Sequence, residues 1–312
     1  MKTIERSIGD VAFVSGQKSY LDLPRDYWYR QLFLNLTGTL TIGTANATAL
    51  RLESPLSLIK RIDVVLNGKD VIKSLPFYAL YQKTKQIHKT APGFTAPGLT
   101  QAAHAFAAGA VIDFGLWDGV SKVDTMLKAK GASTLQLGID WETTANGLVV
   151  PDTTTTTAIS NCNLHVLTNE AYNVDDKAVF PVNREYSLNM PINATGTYQL
   201  KLPTGNMYWG LLVRAVENGA LSNAVVNKLT VKSGTEVFRY FSNQAALRES
   251  MKTERSIETL STGYYWIPFT RDGLLSECLD ARLMSELVLE ADVTFGTGTS
   301  LEVFPQEIVV PR

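Results

Sequence analysis

Short runs of alternating apolar and polar residues dominate the chain. The first half contains YLDLP (20–24), QLFLNLTG (31–38), ALRLES (49–54), RIDVVLNG (61–68), TLQLGIDWE (134–142) and NLHVLTN (163–169). The second contains YQLKLP (198–203), WGLLVRAV (209–216), KLTVKSG (228–234), ELVLEADVTFG (286–296) and LEVFPQEIVV (301–310). Successive side chains of a strand point to opposite faces, so a period of two predicts strands with one buried face. Pairs such as Asn67-Gly68, Asp118-Gly119, Asn146-Gly147, Ser233-Gly234 and Asp272-Gly273 punctuate the runs. These pairs tolerate positive φ and predict turns.

Helical spacing is rarer. LPFYALYQKTKQIHK (75–89) opens with Pro76 and carries Leu80, Tyr81 and Ile87. NQAALRESMKTERSIETL (243–260) places Ala246, Leu247, Met251 and Ile257 at helical intervals, and DGLLSECLDARL (272–283) does the same with Leu275, Cys278, Leu279 and Leu283. Each predicts a short helix with one apolar stripe. The five threonines at 153–157, beside Pro151 and Asp152, predict a surface loop or an edge strand.

The two halves repeat one order of elements. YLDLPRDYWYRQLFLNL (20–36) faces QLKLPTGNMYWGLLVRA (199–215) at an offset of 179, with Leu21, Leu23, Pro24, Tyr29 and Leu32 against Leu200, Leu202, Pro203, Tyr208 and Leu211. DVVLNGKDVI (63–72) faces LTVKSGTEVF (229–238) at 166, matching Val65, Gly68, Val71 and Asp70 to Val231, Gly234, Val237 and Glu236. A helix pattern follows each, VIDFGLWDG (111–119) corresponds in place to YWIPFTRDG (265–273), and LKAKGASTLQLGIDW (127–141) faces LDARLMSELVLEADV (279–293) at 152. Collinear order carries more weight than any one match, because Leu and Val recur in all strand-rich segments. It predicts a duplicated β-domain of about eight strands per copy, the content of a jelly roll. The most conspicuous match, MKTIERSI (1–8) against MKTERSI (251–257), has an offset of 250 and fits none of these blocks. It reads as a coincidence.

Size and charge narrow the function. At 312 residues the chain exceeds one small core. Lys and Arg number 29 against 30 Asp and Glu, which leaves no basic surplus for a nucleic-acid backbone. The N-terminal stretch MKTIERSIGDVAFVSG is charged at Lys2, Glu5, Arg6 and Asp10 and lacks a signal-peptide apolar core. The weakly polar run 101–117 is short for a membrane span and is interrupted by His104 and Asp113. Synthesis and folding in a host cytoplasm is the expectation. Two cysteines, Cys162 and Cys278, do not make a disulfide framework; buried thiols are expected, and a single bridge stays open.

Catalytic chemistry is hard to find. His88, His104 and His165 fall in no metal-binding or catalytic spacing, and neither a GxSxG elbow nor a P-loop occurs. FGTGTS (295–300) lies between two strand patterns and reads as a hairpin rather than a phosphate cradle. Asp175-Asp176 lacks a calcium-loop frame, and the sequons at Asn35, Asn46 and Asn193 are expected to be unused. The aromatic triplets Tyr27-Trp28-Tyr29 and Tyr264-Tyr265-Trp266 are expected in packing rather than as a sugar or base platform. No catalytic, cofactor-binding or metal-ligating residue is assigned, no cofactor is expected, and the chain is not expected to be an enzyme.

The blocks RIDVVLNGKDVI followed by PFYALYQKTKQ, and KLTVKSGTEVF followed by NQAALRES, resemble the double jelly-roll major capsid proteins of tailless, lipid-containing icosahedral bacteriophages of the corticovirus, tectivirus and Flavobacterium lipid-phage type. The resemblance covers nearly the whole chain from about Gly16 and is architectural, without a diagnostic short motif. It implies an all-β chain of two tandem eight-stranded jelly rolls with short inserted helices. The expected organisation is an N-terminal arm (1–16), a first jelly roll (17–174) and a second (175–312). The arm is expected to reach a neighbour or an internal membrane, and loops 91–110 and 143–160 to contribute to a surface. The implied function is a structural capsid protein whose homotrimers form pseudo-hexagonal tiles of an icosahedral shell, located in the virion and in contact with minor capsid and vertex proteins, an internal lipid membrane, and no nucleic acid. Two alternatives stay open on the residues alone: a tandem carbohydrate-binding or spike protein, and a β-sandwich hydrolase.

Overall fold

A computed structural model describes residues 2–116, 125–143, 147–150, 155–175, 180–255, 261–271 and 273–309. The chain divides into two compact units, one built from the chain up to Gly115 with Thr125–Val182, the other from Asn183 onward. Strands of four or more residues that belong to the eight-strand pattern are numbered below.

In the first unit these are β1 (Lys2–Ala12), β2 (Lys18–Asp22), β3 (Trp28–Gly43), β4 (Ile59–Leu66), β5 (Asp70–Leu75), β6 (Ala103–Asp113), β7 (Leu135–Trp141) and β8 (Thr156–Tyr172), with helix α1 (Phe77–His88) between β5 and β6. One antiparallel sheet runs β1-β8-β3-β6 and the other β2-β7-β4-β5. In the second unit they are β9 (Leu188–Pro191), β10 (Gly196–Leu202), β11 (Met207–Glu217), β12 (Val226–Ser233), β13 (Glu236–Phe241), β14 (Tyr264–Pro268), β15 (Leu287–Val293) and β16 (Ser300–Val309), with helix α2 (Gln244–Arg255) between β13 and β14. The sheets run β9-β16-β11-β14 and β10-β15-β12-β13. Adding eight to each label of the first unit gives the second unit's sheets in the same order. First strand beside last in one sheet, second beside seventh in the other, is the strand order of a jelly roll.

Alternation builds the core as expected. In β3, Leu32, Leu34, Leu36, Leu40 and Ile42 are buried, and they meet Leu164 and Val166 of β8 and Phe106, Ala108, Ala110 and Ile112 of β6. Leu135, Leu137 and Ile139 of β7 with Ile62 and Val64 of β4 line the opposite sheet. Each such side chain contributes roughly 1.5–3 kcal/mol on leaving water.

Several expectations change. Residues 2–12, set apart above as an arm, form β1, which pairs with β8 along its length and has β9 as its counterpart. The strand was hidden because it is an edge held by backbone pairing; only Val11 is fully buried, so the apolar alternation is faint. The segment 49–54 forms no strand beyond a single bridge from Leu50 to Val149. The third helix candidate, 272–283, is one 3₁₀ turn, Leu275–Glu277, within its described residues. There Leu279-Asp280 pairs with Tyr208-Met207 on β11, and the Asp280 carboxylate accepts from the Arg282 amide and guanidinium, so the backbone bonds a strand and a local turn instead of a helix. Leu283, placed on the expected stripe, is fully exposed.

The hairpin offset of 166 also needs a correction. Leu66 pairs with Asp70 in the first unit and Ser233 with Glu236 in the second, so the second turn is one residue shorter. Buried Ile62 and Val64 therefore correspond to buried Leu229 and Val231, and 166 holds only after the turn. Gly68 and Gly234 sit at φ 71° and 54°, a region that favours glycine. Residues 2–8 of the first octet lie in a strand and residues 251–255 of the second in a helix, with 256–257 outside the described residues.

Candidate functional site

The repeat converges on one constellation in each unit. Tyr29 Oη donates to the Pro24 carbonyl at 2.7 Å, and Tyr208 Oη donates to the Pro203 carbonyl at 2.5 Å. A tyrosine hydroxyl bonded to backbone a few residues upstream pins the chain where it enters a strand. Both rings are fully buried, and burial pushes both phenol groups well above their ordinary range. Leu127 pairs with Tyr29 as Leu279 pairs with Tyr208, which joins the offsets 179 and 152 in a single register.

A buried carboxylate stands beside each tyrosine. Glu170 pairs across from Tyr29 and Glu307 from Tyr208. Arg6 Nε and Nη2 donate to the two Glu170 oxygens at 3.0 and 2.7 Å, and Thr168 Oγ1 donates to Oε1 at 2.5 Å. The bond to Glu170 raises the Arg6 pKa further. At the second corner Asn206 Nδ2 donates to Glu307 at 2.8 Å, while Arg184 stands 3.9 Å away and is half exposed. One carboxylate is thus held by a forked cation and the other by an amide. Burial demands such partners. Sequence reasoning found the tyrosines and missed both glutamates.

The outer faces of the two β3-type sheets are in register and differ in composition. In the first unit Ser7, Leu167, Phe33 and Val111 lie side by side, followed by Asp10, His165, Asn35 and Gly109. Leu167 is 40% exposed and Asn35 and Asp10 are exposed. In the second unit Phe304, Leu212 and Trp266 occupy the first row and Glu302, Arg214 and Tyr264 the next. Phe304, Leu212, Trp266 and Tyr264 are buried, and Arg214 bonds Glu302 at 2.9 Å. Gly210 leaves room for the Trp266 ring, since a Cβ there would lie 2.7 Å from it. Val111 therefore corresponds to Trp266, one residue beyond the match of 111–119 with 265–273. Each helix meets the last strand of its sheet through a backbone amide: Thr84 of α1 accepts from the Val111 amide at 2.9 Å, and Met251 of α2 accepts from the Trp266 amide.

Other candidates stay apart. His88 meets buried Asp113 at 3.0 Å, His165 meets Asp10 at 2.7 Å, and His104 bonds within the Thr100 turn. Among the described residues no three His, Cys, Asp or Glu side chains gather as a metal site. Cys162 and Cys278 are free and buried, and burial pushes both thiols up to about 12. Residues 294–299 form the connection between β15 and β16, with Gly298 at φ 65°. Asp176 and residues 151–154 lie outside the described residues, and Thr156-Thr157 open β8. Asn35 is exposed on β3, and Asn46 and Asn193 are exposed between strands. Tyr264, Tyr265 and Trp266 are buried, and Tyr27 packs between Arg6 and Tyr172, so neither triplet offers an open platform. An open groove of about 880 Å³ runs past Arg6, Asp22, Arg25 and Asp26, but its arginines are engaged by Glu170 and by the carbonyls of Ala132 and Ser133. Among the described residues no helix is long and apolar enough to cross a membrane, and the run at 101–117 holds β6.

No protein-family model and no curated protein matches the sequence. Solved structures do match its shape. The major capsid protein (MCP) of STIV is 14% identical, covers 100% of this chain and 98% of its own, and superposes with a TM-score of 0.81. A chain from the atomic structure of Sulfolobus Turreted Icosahedral Virus gives 14%, 100%, 92% and 0.79. The major capsid protein P2 from bacteriophage PM2 gives 13%, 100%, 98% and 0.66. The fold is a double jelly roll. At these identities the likeness is one of fold, and the double jelly roll expected from the repeat is what the chain forms.

Proposed function

We propose that this double jelly roll is a structural major capsid protein. Three chains form a trimer, the six jelly rolls make a pseudo-hexagonal tile, and the tiles close an icosahedral shell around an internal membrane. The observation that carries the reading is a full-length double jelly roll shared with viral major capsid proteins, with its polar centres engaged in holding the two cores. A tile of near-sixfold shape needs six similar sides, and a duplicated domain in a threefold ring supplies them from one chain. The net charge of −1 fits a shell without direct genome contact. The chain acts without a cofactor and not as an enzyme; it is made in a host cytoplasm, resides in the virion, and meets minor capsid and vertex proteins. Native mass measurement of the full chain tests this: a trimer that assembles into shells is expected, and a monomer that binds glycans would overturn it.

A further inference from the structure

Three residues far apart in the sequence meet on the outer face of the first unit. His165 Nδ1 donates to Asp10 Oδ1 at 2.7 Å, and Thr37 Oγ1 donates to His165 Nε2 at 3.0 Å. A carboxylate only accepts, so Asp10 keeps the proton of the neutral ring on Nδ1 and leaves Nε2 to accept from the hydroxyl. The sheet sets this chain of bonds. Asp10 of β1 pairs with His165 of β8, and Thr37 of β3 pairs with Asn163, two residues along β8 and on the same face. A hydroxyl bonded to a base that a third group orients is the arrangement of an activated nucleophile.

The surroundings suit a small acyl donor. Asp10 is exposed and His165 and Thr37 are half-buried, so the hydroxyl is within reach of solvent. Asn163 beside Thr37 and Asn35 beside His165 present side-chain amides, and among the described residues neither side chain has a hydrogen-bond partner. Amides so placed donate to the oxygen that gains charge when a carbonyl is attacked. Ala12, paired with Asn163, borders a pocket of about 260 Å³ that Phe13 and Ile159 also line, space for a short acyl chain. Cys162 borders the same pocket, but burial pushes its thiol up to about 12, so it stays protonated and is not the nucleophile.

We propose that Thr37 is a site of covalent acylation, with His165 as its general base and Asp10 as a positioning residue. Thr37 Oγ1 bonds the carbonyl carbon of a short-chain ester or thioester with a good leaving group. Its proton passes to His165 Nε2, and the phenolate or thiolate departs and takes that proton. The donor must be activated, because the paired backbone amides of β3 and β8 are engaged in the sheet and offer no oxyanion hole. The acyl group therefore stays on the chain as a modification, and no amide bond is cleaved. This goes beyond the capsid reading and does not depend on it.

Incubation of the full chain with p-nitrophenyl acetate, followed by peptide mapping, tests this. An acetyl ester is expected on Thr37 well ahead of Thr3, an exposed threonine of β1 that serves as internal reference. His165→Gln is expected to slow labelling of Thr37 by about 100-fold or more. Asp10→Asn is expected to slow it less, and Asp10→Glu to restore most of that loss, while thermal unfolding of the variants stays as in wild type. Thr37→Ser is expected to be acetylated in place of Thr37. Should His165→Gln not fold, the two variants at exposed Asp10 decide the matter. Labelling of Thr37 no faster than Thr3, or labelling that neither His165→Gln nor Asp10→Asn slows, would overturn the assignment.

Discussion

Phe33 and Leu212 occupy the same place in the two jelly rolls, central on the third strand and pointing out of the barrel, yet one is partly in water and the other sealed. Their neighbours follow suit: Leu167 against Phe304, Asn35 against Arg214, His165 against Glu302. The corners differ in the same spirit. Both glutamates are buried beside a corner tyrosine, but Arg6 forks onto Glu170 while Asn206 serves Glu307. A jelly roll fixes its inward positions and corner geometry and leaves outward positions and counter-charges free to differ.

The sharpest way to break this comparison is to place one charge on both outer faces. Phe304→Arg is expected to cost more than about 4 kcal/mol and yield little folded protein, because it buries an unpaired cation. Leu167→Arg is expected to stay within about 1 kcal/mol of wild type, as an exposed position does. Thermal unfolding of the two checks it, and equal losses would dissolve the distinction. Next come the corners. Arg6→Ala strands a fully buried carboxylate and is expected to cost about 2 to 3 kcal/mol, below a fully buried pair because Arg6 is 31% exposed. Arg184→Ala, 3.9 Å from Glu307, is expected to cost under about 1 kcal/mol in urea melts. Tyr29→Phe and Tyr208→Phe remove one hydrogen bond each and are expected to cost a similar ~1 kcal/mol; a large difference between them would show that the corners are not equivalent.

The smallest effect is electrostatic and confined to the second unit. Lys232 bonds Glu290 at 2.6 Å and, with Gln199, holds its pKa below the ordinary value of 4.5. A lowered folded-state pKa contributes stability above the unfolded value and loses it as pH falls through the folded one. Lys232→Met is therefore expected to be less stable than wild type at neutral pH, by under about 1 kcal/mol. The gap should close once Glu290 protonates in both proteins, and pH-dependent urea midpoints would reveal a gap that persists in acid.

Much of this was legible from spacing. The alternation from β2 to β4 and from β10 to β12, the helix after each hairpin, and the Pro24/Tyr29 and Pro203/Tyr208 pairs sit in the sequence as periodicity and constant offset. What escaped notice depends on tertiary neighbours. β1 shows faint patterning because backbone bonds rather than an apolar face hold it. Glu170 and Glu307 stand 137 residues apart, in unlike contexts EAY and EIV, and only the pairing of β8 with β3 and β16 with β11 reveals their kinship. The 272–283 stripe had helical spacing, yet pairing with β11 redirected the backbone. The differing fate of the outer faces has no local signature, because it depends on what covers them.

The corner bond has a consequence for how such chains drift. Its acceptor is a main-chain oxygen, which every residue offers, so only the tyrosine side chain is required to keep the bond. A doubled gene could thus lose nearly all likeness between its halves, and to distant kin, while two phenols five residues downstream of a loop carbonyl still mark where each barrel begins to close. A pair of such tyrosines at domain-length separation, each followed by a hairpin and a short helix, is the mark the doubled fold leaves in this sequence.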